Sequence, residues 1–154
     1  MTLYFAYGSN MSRALMHRLC PRARPLGTAV LDDHQFIITL DGYASVVTQP
    51  RARVHGVLWR VGPREITALN AYESIDTGLY RRRILPVRHA GERASALVYV
   101  GRSCRHGQPK PGYIELVLAA ARDWTLPAAY VATLARWGCA DGATTSAAEA
   151  GEIA

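Results

Sequence analysis

One stretch near the N-terminus combines a strand, a glycine and small polar side chains in a way that suits anion binding. Leu3–Tyr7 is a short apolar run typical of a buried strand, and Gly8-Ser9-Asn10 follows it as a turn. A helix is predicted directly after the turn, because Leu15, Met16 and Leu19 recur at helical spacing. A helix N-terminus presents unpaired backbone N–H groups and a positive dipole end. The turn can therefore hold a carboxylate or a developing oxyanion, or it can be an ordinary turn and helix cap.

A second candidate is an isolated acidic side chain in the middle of the chain. Gly62-Pro63 predicts the start of a helix, and Glu73 falls near the apolar face of that helix. Most other acidic residues fall in predicted turns, on polar faces or near the C-terminus. Burial of a carboxyl group raises its pKa, which would let Glu73 act as a general acid or base near neutral pH. The alternative is a structural role, as a turn cap or as an ion-pair partner of Arg81 or Arg82.

Two tyrosines follow glycines at predicted turns. Tyr80 comes after Gly78, and Tyr113 comes after Pro111-Gly112. A phenol places a hydrogen-bonding tip on an apolar body. Each tyrosine can line a binding pocket, or it can be an interior residue whose hydroxyl is satisfied by a backbone carbonyl.

Composition limits the kinds of protein that this chain can be. It has 154 residues, of which 49% are hydrophobic and 19% charged, so it can form one domain with a core and is not a disordered or coiled-coil chain. The net charge of +6 comes almost entirely from arginine. This excess allows an anionic partner, but Arg81-Arg82-Arg83 is the only basic run and no nucleic-acid-binding motif accompanies it.

The cysteines and histidines do not suggest a metal site. Cys20, Cys104 and Cys139 are widely spaced, and no cysteine or histidine pair has zinc-ligand spacing. Three cysteines without a disulfide framework indicate a reducing compartment, and so a cytoplasmic protein. No apolar run reaches the roughly 18 residues of a membrane helix, and the N-terminus does not resemble a signal peptide.

The remaining pattern predicts an α+β domain over residues 1–138. About six strands are expected, with one helix before the fifth strand and a pair of helices near the C-terminus. The predicted strands after the first are Thr28–Leu40 (one bent strand or two), Ala44–Thr48, Val54–Val61, Tyr80–His89 and Ser95–Val100. The glycine in Val54–Val61 indicates a bulge or a close backbone approach. Residues 139–154 contain almost nothing apolar and are predicted to be a disordered tail.

Four segments, taken in order, resemble the gamma-glutamylcyclotransferase family. Any one of them is a weak signal, but four in the family's order are specific, and together they span roughly residues 3–137. They are Tyr4-Phe5-Ala6-Tyr7-Gly8-Ser9-Asn10-Met11, Val54-His55-Gly56-Val57-Leu58-Trp59, Leu69-Asn70-Ala71-Tyr72-Glu73 with Gly78-Leu79-Tyr80, and Pro111-Gly112-Tyr113 with Leu126-Pro127.

The resemblance implies a fold and a reaction. The fold is a mixed sheet curled into a small barrel with flanking helices. The reaction is the release of 5-oxoproline and an amine from a γ-glutamyl amide, an intramolecular cyclisation of the transferase or lyase type that needs no metal or organic cofactor. The implied partner is a small-molecule γ-glutamyl substrate, with no nucleic acid and no membrane; the oligomeric state is open, with a homodimer as one option. The implied roles are acid/base catalysis by Glu73 and substrate binding by Tyr7, Gly8, Ser9, Asn10, Met11, Tyr80 and Tyr113.

Some positions depart from the family pattern and leave the substrate open. Ser74 follows Glu73 where many members have glycine, and the Arg81-Arg82-Arg83 run is expected near the pocket rim, where it can favour an acidic leaving group or a peptide carboxylate. Branches of the family act on γ-glutamyl amino acids, γ-glutamyl amines, glutathione or antibiotic precursors, and the glutathione branch fits less well because its opening motif differs. The alternatives are a non-catalytic binding or regulatory member of the fold and a basic nucleic-acid-binding protein.

Overall fold

Five strands close into a barrel within residues 1–138, the part of the chain that the computed structural model describes. They are β1 (Thr2–Ala6), β2 (Arg24–Ile38), β3 (Ala44–Val61), β4 (Tyr80–His89) and β5 (Glu92–Gly101). The order around the barrel is β1-β3-β2-β4-β5. The pairs are antiparallel except that of β1 with β5, where Tyr4 lies opposite Leu97 in a parallel pair. The predicted α+β fold with a small mixed barrel is confirmed.

Four helices flank this barrel: α1 (Arg13–Leu19), α2 (Pro63–Tyr72), α3 (Tyr113–Asp123) and α4 (Ala128–Ala135). Three short 3-10 turns accompany them, at Ser9–Met11, Ile75–Thr77 and Arg136–Gly138. Ser12 caps α1, because its hydroxyl accepts a hydrogen bond from the Leu15 N–H at 3.2 Å. Pro63 opens α2 as predicted, and the Glu65 carboxylate caps that helix by accepting from the Gly62 N–H at 3.0 Å.

The strand count is five among these residues rather than about six, because β3 is continuous where two strands were predicted. Asp33 and Arg51 both have positive φ, at 56° and 66°, and the Arg51 N–H donates to Asp33 Oδ1 at 3.0 Å. The pairing register of β2 with β3 shifts at the same place, between Asp32 and His34. The irregular residues around Pro50 therefore form a bulge in β3, and β3 pairs with β2 on both sides of the bulge.

Gly56 is explained by a close approach of two strands. A Cβ atom at this position would lie 2.3 Å from the Ala6 carbonyl oxygen and 2.8 Å from the Phe5 ring. Real Cβ contacts are not that short, so only glycine lets β3 pass β1 here. Of the two interpretations predicted for this glycine, the close backbone approach is confirmed. The close approach keeps the end of β1, and with it the turn at Gly8-Ser9-Asn10 (the N-terminal turn), next to β3.

The apolar side chains of the strands and helices form one core cluster. No helix within residues 1–138 is long and apolar enough to cross a membrane. The predicted tail, 139–154, lies outside the described residues.

Candidate active site

Glu73 lies fully buried at the point where α2 ends. Its backbone N–H donates to the Leu69 carbonyl at 2.8 Å, which completes the last turn of the helix. Ser74 then takes a left-handed conformation, with φ 53° and ψ 47°, and the chain turns away from the helix axis. The sequence placed Glu73 near the apolar face of α2, and the structure places its carboxylate inside the molecule.

The Asn10 side chain joins the N-terminal turn to this carboxylate. Its Nδ2 donates to Glu73 Oε1 at 3.3 Å and to the Tyr4 hydroxyl at 2.9 Å. Asn10 is itself fully buried in the 3-10 turn, and its Oδ1 has no hydrogen-bond partner among the described residues. A buried carbonyl oxygen without a hydrogen bond destabilises the folded protein, and it is available to accept a hydrogen bond from a ligand N–H group.

Two of the predicted pocket tyrosines meet at one residue of β3. The Tyr80 hydroxyl donates to the Ala44 carbonyl, and the Tyr113 hydroxyl accepts from the Ala44 N–H at 3.3 Å. Tyr113 is also hydrogen-bonded to the backbone of Ser9. The start of β4, the start of α3 and the N-terminal turn are therefore brought together at the beginning of β3.

Tyr7 directly follows β1 and connects to two further elements. Its hydroxyl donates to the Tyr99 carbonyl on β5 and is also hydrogen-bonded to the Ser45 side chain. Ser45 Oγ in turn accepts from the Gly101 N–H at 2.9 Å. Gly8 precedes the 3-10 turn, and its carbonyl accepts from the Met11 N–H at 3.1 Å.

Burial keeps the phenols of this site protonated at neutral pH. It raises the pKa of five tyrosines, and the nearby Glu73 carboxylate raises each of them further: Tyr4, Tyr7, Tyr80, Tyr99 and Tyr113. Tyrosine ordinarily titrates near pH 10. All five are therefore neutral hydroxyl groups under physiological conditions, and their negative neighbour makes ionisation still less favourable.

The N-terminal turn differs from the predicted helix N-terminus in one respect. It is a separate 3-10 turn, and α1 begins only at Arg13 with its own cap. The Met11 N–H is already used by Gly8, its carbonyl accepts from Trp124 Nε1 at 2.7 Å, and its side chain is buried in the core. Met11 therefore anchors the turn to the end of α3, and its N–H is already donated within the turn.

Sequence reasoning missed several residues that support the site. Tyr4 and Tyr99 pack edge to face with ring centroids 5.7 Å apart, and the Tyr99 hydroxyl donates to Asn70 Oδ1 at 2.7 Å. Tyr4 and Asn70 lie inside the segments that resemble the family, so the sequence could have indicated them. Nothing in the sequence indicated Ser45 and Tyr99, because their contacts depend on how β3 and β5 meet in space.

No three histidine, cysteine, aspartate or glutamate side chains gather into a potential metal site in the part of the chain that is described. What the site offers chemically is one buried carboxylate, an amide oxygen and several neutral phenols. Such a set can bind a zwitterionic ligand and transfer protons.

Comparison with known proteins assigns the chain to a family. Residues 4–126 match the family model described as "Gamma-glutamyl cyclotransferase, AIG2-like". The chain belongs to this family. The match covers all of the predicted site residues from Tyr7 to Tyr113.

Two mammalian proteins named gamma-glutamylcyclotransferase are also similar to this chain. The chain is 26% identical over 141 residues to the gamma-glutamylcyclotransferase of Homo sapiens, covering 83% of this chain and 74% of that protein. It is 27% identical over 143 residues to the gamma-glutamylcyclotransferase of Mus musculus, with the same coverage of each.

Solved structures share the fold of this family member. A structure named gamma-glutamyl cyclotransferase superposes with a TM-score of 0.84 at 23% identity, covering 98% of this chain and 94% of the other. A crystal structure of an uncharacterized protein from Homo sapiens superposes with a TM-score of 0.80 at 25% identity, covering 87% and 86%. A glutathione-specific yeast enzyme matches with a TM-score of 0.57 at 12% identity, covering 88% and 94%, which shows a likeness of fold alone.

Proposed function

We propose that this chain releases 5-oxoproline and a free amine from a γ-glutamyl amide, with Glu73 as the general acid and base. The observation that carries the proposal is the contact between two buried groups, the Glu73 carboxylate and the Asn10 carboxamide at 3.3 Å. It joins the acidic side chain to the N-terminal turn of a chain that belongs to the gamma-glutamyl cyclotransferase, AIG2-like family.

The substrate carries its own nucleophile, so the protein does not need a reactive serine or cysteine. The α-amine of the glutamyl group attacks the γ-carbonyl carbon and closes a five-membered ring. Holding the glutamyl chain folded, with amine and carbonyl in contact, can lower the barrier by about 7–11 kcal/mol. Packed tyrosine rings around the site provide rigid walls for that folded conformation.

Glu73 moves the protons that the cyclisation requires. The α-nitrogen enters as an ammonium group and ends as a lactam N–H, so it loses two protons. The departing nitrogen enters as an amide N–H and leaves as an ammonium group, so it gains two. The carboxylate accepts protons from the α-nitrogen as the new C–N bond forms, and the resulting carboxylic acid donates them as the old C–N bond breaks.

Neighbouring groups have suitable chemistry for the rest of the substrate. Asn10 Oδ1 is a buried acceptor without a partner among the described residues, and it can accept a hydrogen bond from an N–H of the α-ammonium group. The backbone N–H groups of Gly8 and Asn10 can donate hydrogen bonds to the γ-carbonyl oxyanion as the tetrahedral intermediate forms. The Met11 N–H is left out of this role because Gly8 occupies it.

The test is an assay of 5-oxoproline release from a panel of γ-glutamyl amino acids and γ-glutamyl amines, read by mass spectrometry. We expect turnover of at least one member, and the preferred member identifies the leaving amine. Glu73→Gln keeps the shape of the side chain and removes its proton transfer, so kcat should fall by about 10²–10⁴-fold. Glu65→Gln is the matched control on α2, since a glutamine oxygen can still cap Gly62.

Three results would contradict the proposal. The first is a folded Glu73→Gln variant that keeps full activity, which would remove the assigned role. The second is no turnover of any panel member by the unaltered chain, which would favour the non-catalytic alternative. The third is tight, salt-sensitive DNA binding without turnover, which would favour a nucleic-acid-binding protein. Cytoplasmic location and oligomeric state stay predictions.

A further inference from the structure

The Arg81-Arg82-Arg83 run divides between two faces of β4. Successive side chains of a strand point to opposite sides. Arg82 lies opposite Tyr99 in the strand pair. Burial and the Glu73 carboxylate raise the pKa of Tyr99, and the Arg82 charge acts in the opposite direction. Arg81 and Arg83 instead line a groove on the other face.

This groove, which we call the arginine groove, has a volume of about 290 Å³. One wall comes from β2 and β3 and the other from β4 and β5, and its lining includes His34, Val46, Arg81, Arg83, Leu85 and Val100. The volume is at the small end of the range for small-molecule sites.

The walls of the arginine groove are held in place by hydrogen bonds beyond the strand ladders. The Gly107 N–H donates to the Ile38 carbonyl at 2.8 Å, and the Gly101 N–H donates to Ser45 Oγ at 2.9 Å. Arg102, which also lines the groove, forms an ion pair with Asp41 at 2.7 Å. The two walls are therefore joined at this end, and the groove has a defined shape before any ligand enters.

Within residues 1–138, the charges of Arg81 and Arg83 are uncompensated, whereas Arg102 is paired with Asp41. No acidic side chain is among the described residues that line it, and within residues 1–138 neither Arg81 nor Arg83 has a carboxylate oxygen within 4.0 Å. The two arginines are two positions apart on one strand, so their Cα atoms are about 7 Å apart. Two side chains of like charge thus lie on the same face of β4, beside the apolar side chains that line the groove.

We propose that the arginine groove binds a small organic dianion. A guanidinium group pairs with a carboxylate or a phosphate through two parallel hydrogen bonds, and each of the two arginines can take one acidic end. The apolar floor formed by Val46, Leu85 and Val100 suits the short carbon chain between those ends. This site lies on the face of β4 opposite to Tyr80, so the proposal does not depend on the proposed function.

Isothermal titration calorimetry of the whole chain with succinate tests the proposal, with uncharged succinamide as the control ligand. We expect saturable binding of succinate that weakens with added salt, and no binding of succinamide. In Arg81→Gln/Arg83→Gln, succinate binding should weaken at least about tenfold, because each arginine supplies charge-assisted hydrogen bonds.

Arg82→Gln/Arg93→Gln is the matched variant, since it removes the same net charge from exposed positions on β4 and β5 that do not line the groove. It should bind succinate like the unaltered chain, and so should Glu73→Gln. Absence of saturable binding would overturn the proposal. Equal weakening in both double variants would also overturn it, because a general charge effect would then explain the binding.

A second measurement uses the unaltered chain and does not depend on any variant folding. Cys104 is exposed and lines the arginine groove. Saturating succinate should slow alkylation of Cys104 by neutral iodoacetamide, measured by peptide mass spectrometry, and succinamide should leave the rate unchanged. An unchanged Cys104 rate at a succinate concentration that saturates the heat signal would place binding elsewhere and contradict the proposal.

Discussion

At the level of single residues, the Asn10 carboxamide is the group on which the geometry of the site depends most. Its Nδ2 contacts both the Tyr4 hydroxyl and Glu73 Oε1, which fixes the plane of the amide. The orientation of the free Oδ1 follows from that plane. Tyr4 therefore acts on the site through Asn10, as a positioning residue.

Replacement of Tyr4 by phenylalanine should lower kcat for 5-oxoproline release by about tenfold, because the amide loses one of the two partners that orient it. Tyr99→Phe is the control. It removes a hydroxyl from the other ring of the same aromatic pair, but the hydroxyl of Tyr99 donates to Asn70 and not to Asn10. Steady-state kinetics of both variants provide the measurement. Equal losses of kcat in the two variants would show that ring packing, and not the orientation of Asn10, is responsible.

The sequence predicted the central residues of the site better than their supports. Glu73 stood out because most other acidic residues fall in predicted turns, on polar faces or near the C-terminus, where they are expected to face solvent. Its burial in the structure agrees with that reasoning. Asn10, Tyr80 and Tyr113 were candidates from their positions at predicted turns, and the family resemblance added substrate-binding roles for them. The unpaired Asn10 Oδ1 and the double hydrogen bonding of Ala44 were not predictable, because they depend on side-chain geometry between elements far apart in the chain.

At the level of the elements, the connection from α2 to β4 stores backbone strain at Ser74. Its φ of 53° is one that side chains with a Cβ atom adopt unfavourably, and no side-chain hydrogen bond caps the 3-10 turn that it begins. The Ser74 carbonyl does contribute, because it accepts from the N–H groups of Thr77 and Leu79. The conformation is therefore required by the backbone and not by the serine side chain.

Ser74→Gly should raise the free energy of unfolding by about 0.5–1 kcal/mol, since relief of the left-handed strain exceeds the added flexibility of the unfolded chain. Ser74→Ala keeps the Cβ atom and should give no gain. Urea denaturation of both variants checks the prediction. Stabilisation by alanine as large as that by glycine would show that the serine hydroxyl, and not the backbone, is unfavourable.

The limits of the helices were easier to predict than the continuity of β3, for a physical reason. Helix limits follow local signals, such as Pro63 at the start of α2 and the cap at Ser12. Strand limits depend on pairing with distant residues. Only pairing shows that the Asp33 and Arg51 irregularities face each other and leave β3 continuous past Pro50.

At the level of the whole molecule, an ion pair reinforces the closure of the barrel between β2 and β4. The strands pair in register at Val30 and Arg88, and the Arg88 guanidinium makes two hydrogen bonds to the Asp32 carboxylate. The hydrogen bonds from Arg88 hold the pKa of Asp32 below its usual range, with further help from the charges of Arg88 and Arg53. This ion pair therefore makes barrel stability depend on pH.

The sign follows from the lowered pKa in the folded state. The stabilisation from Asp32 is fully present above its unfolded pKa of about 3.9 and is lost as pH falls through the lower folded value. Asp32→Asn should destabilise the protein at pH 7 and should lose less stability than the unaltered chain on acidification. Urea midpoints across the acid range measure this, and parallel curves for the two proteins would contradict it.

The parallel contact of β1 with β5 has a consequence for biosynthesis. β1 leaves the ribosome before the other strands, yet its partner Leu97 emerges more than half of this sequence later. Asn10 lies four residues beyond β1, and Tyr113 emerges later still, so the candidate site cannot exist on any nascent chain that stops short of α3. Because contacts between distant segments slow folding, the newly made protein should gain ordered strands well before it gains a competent site.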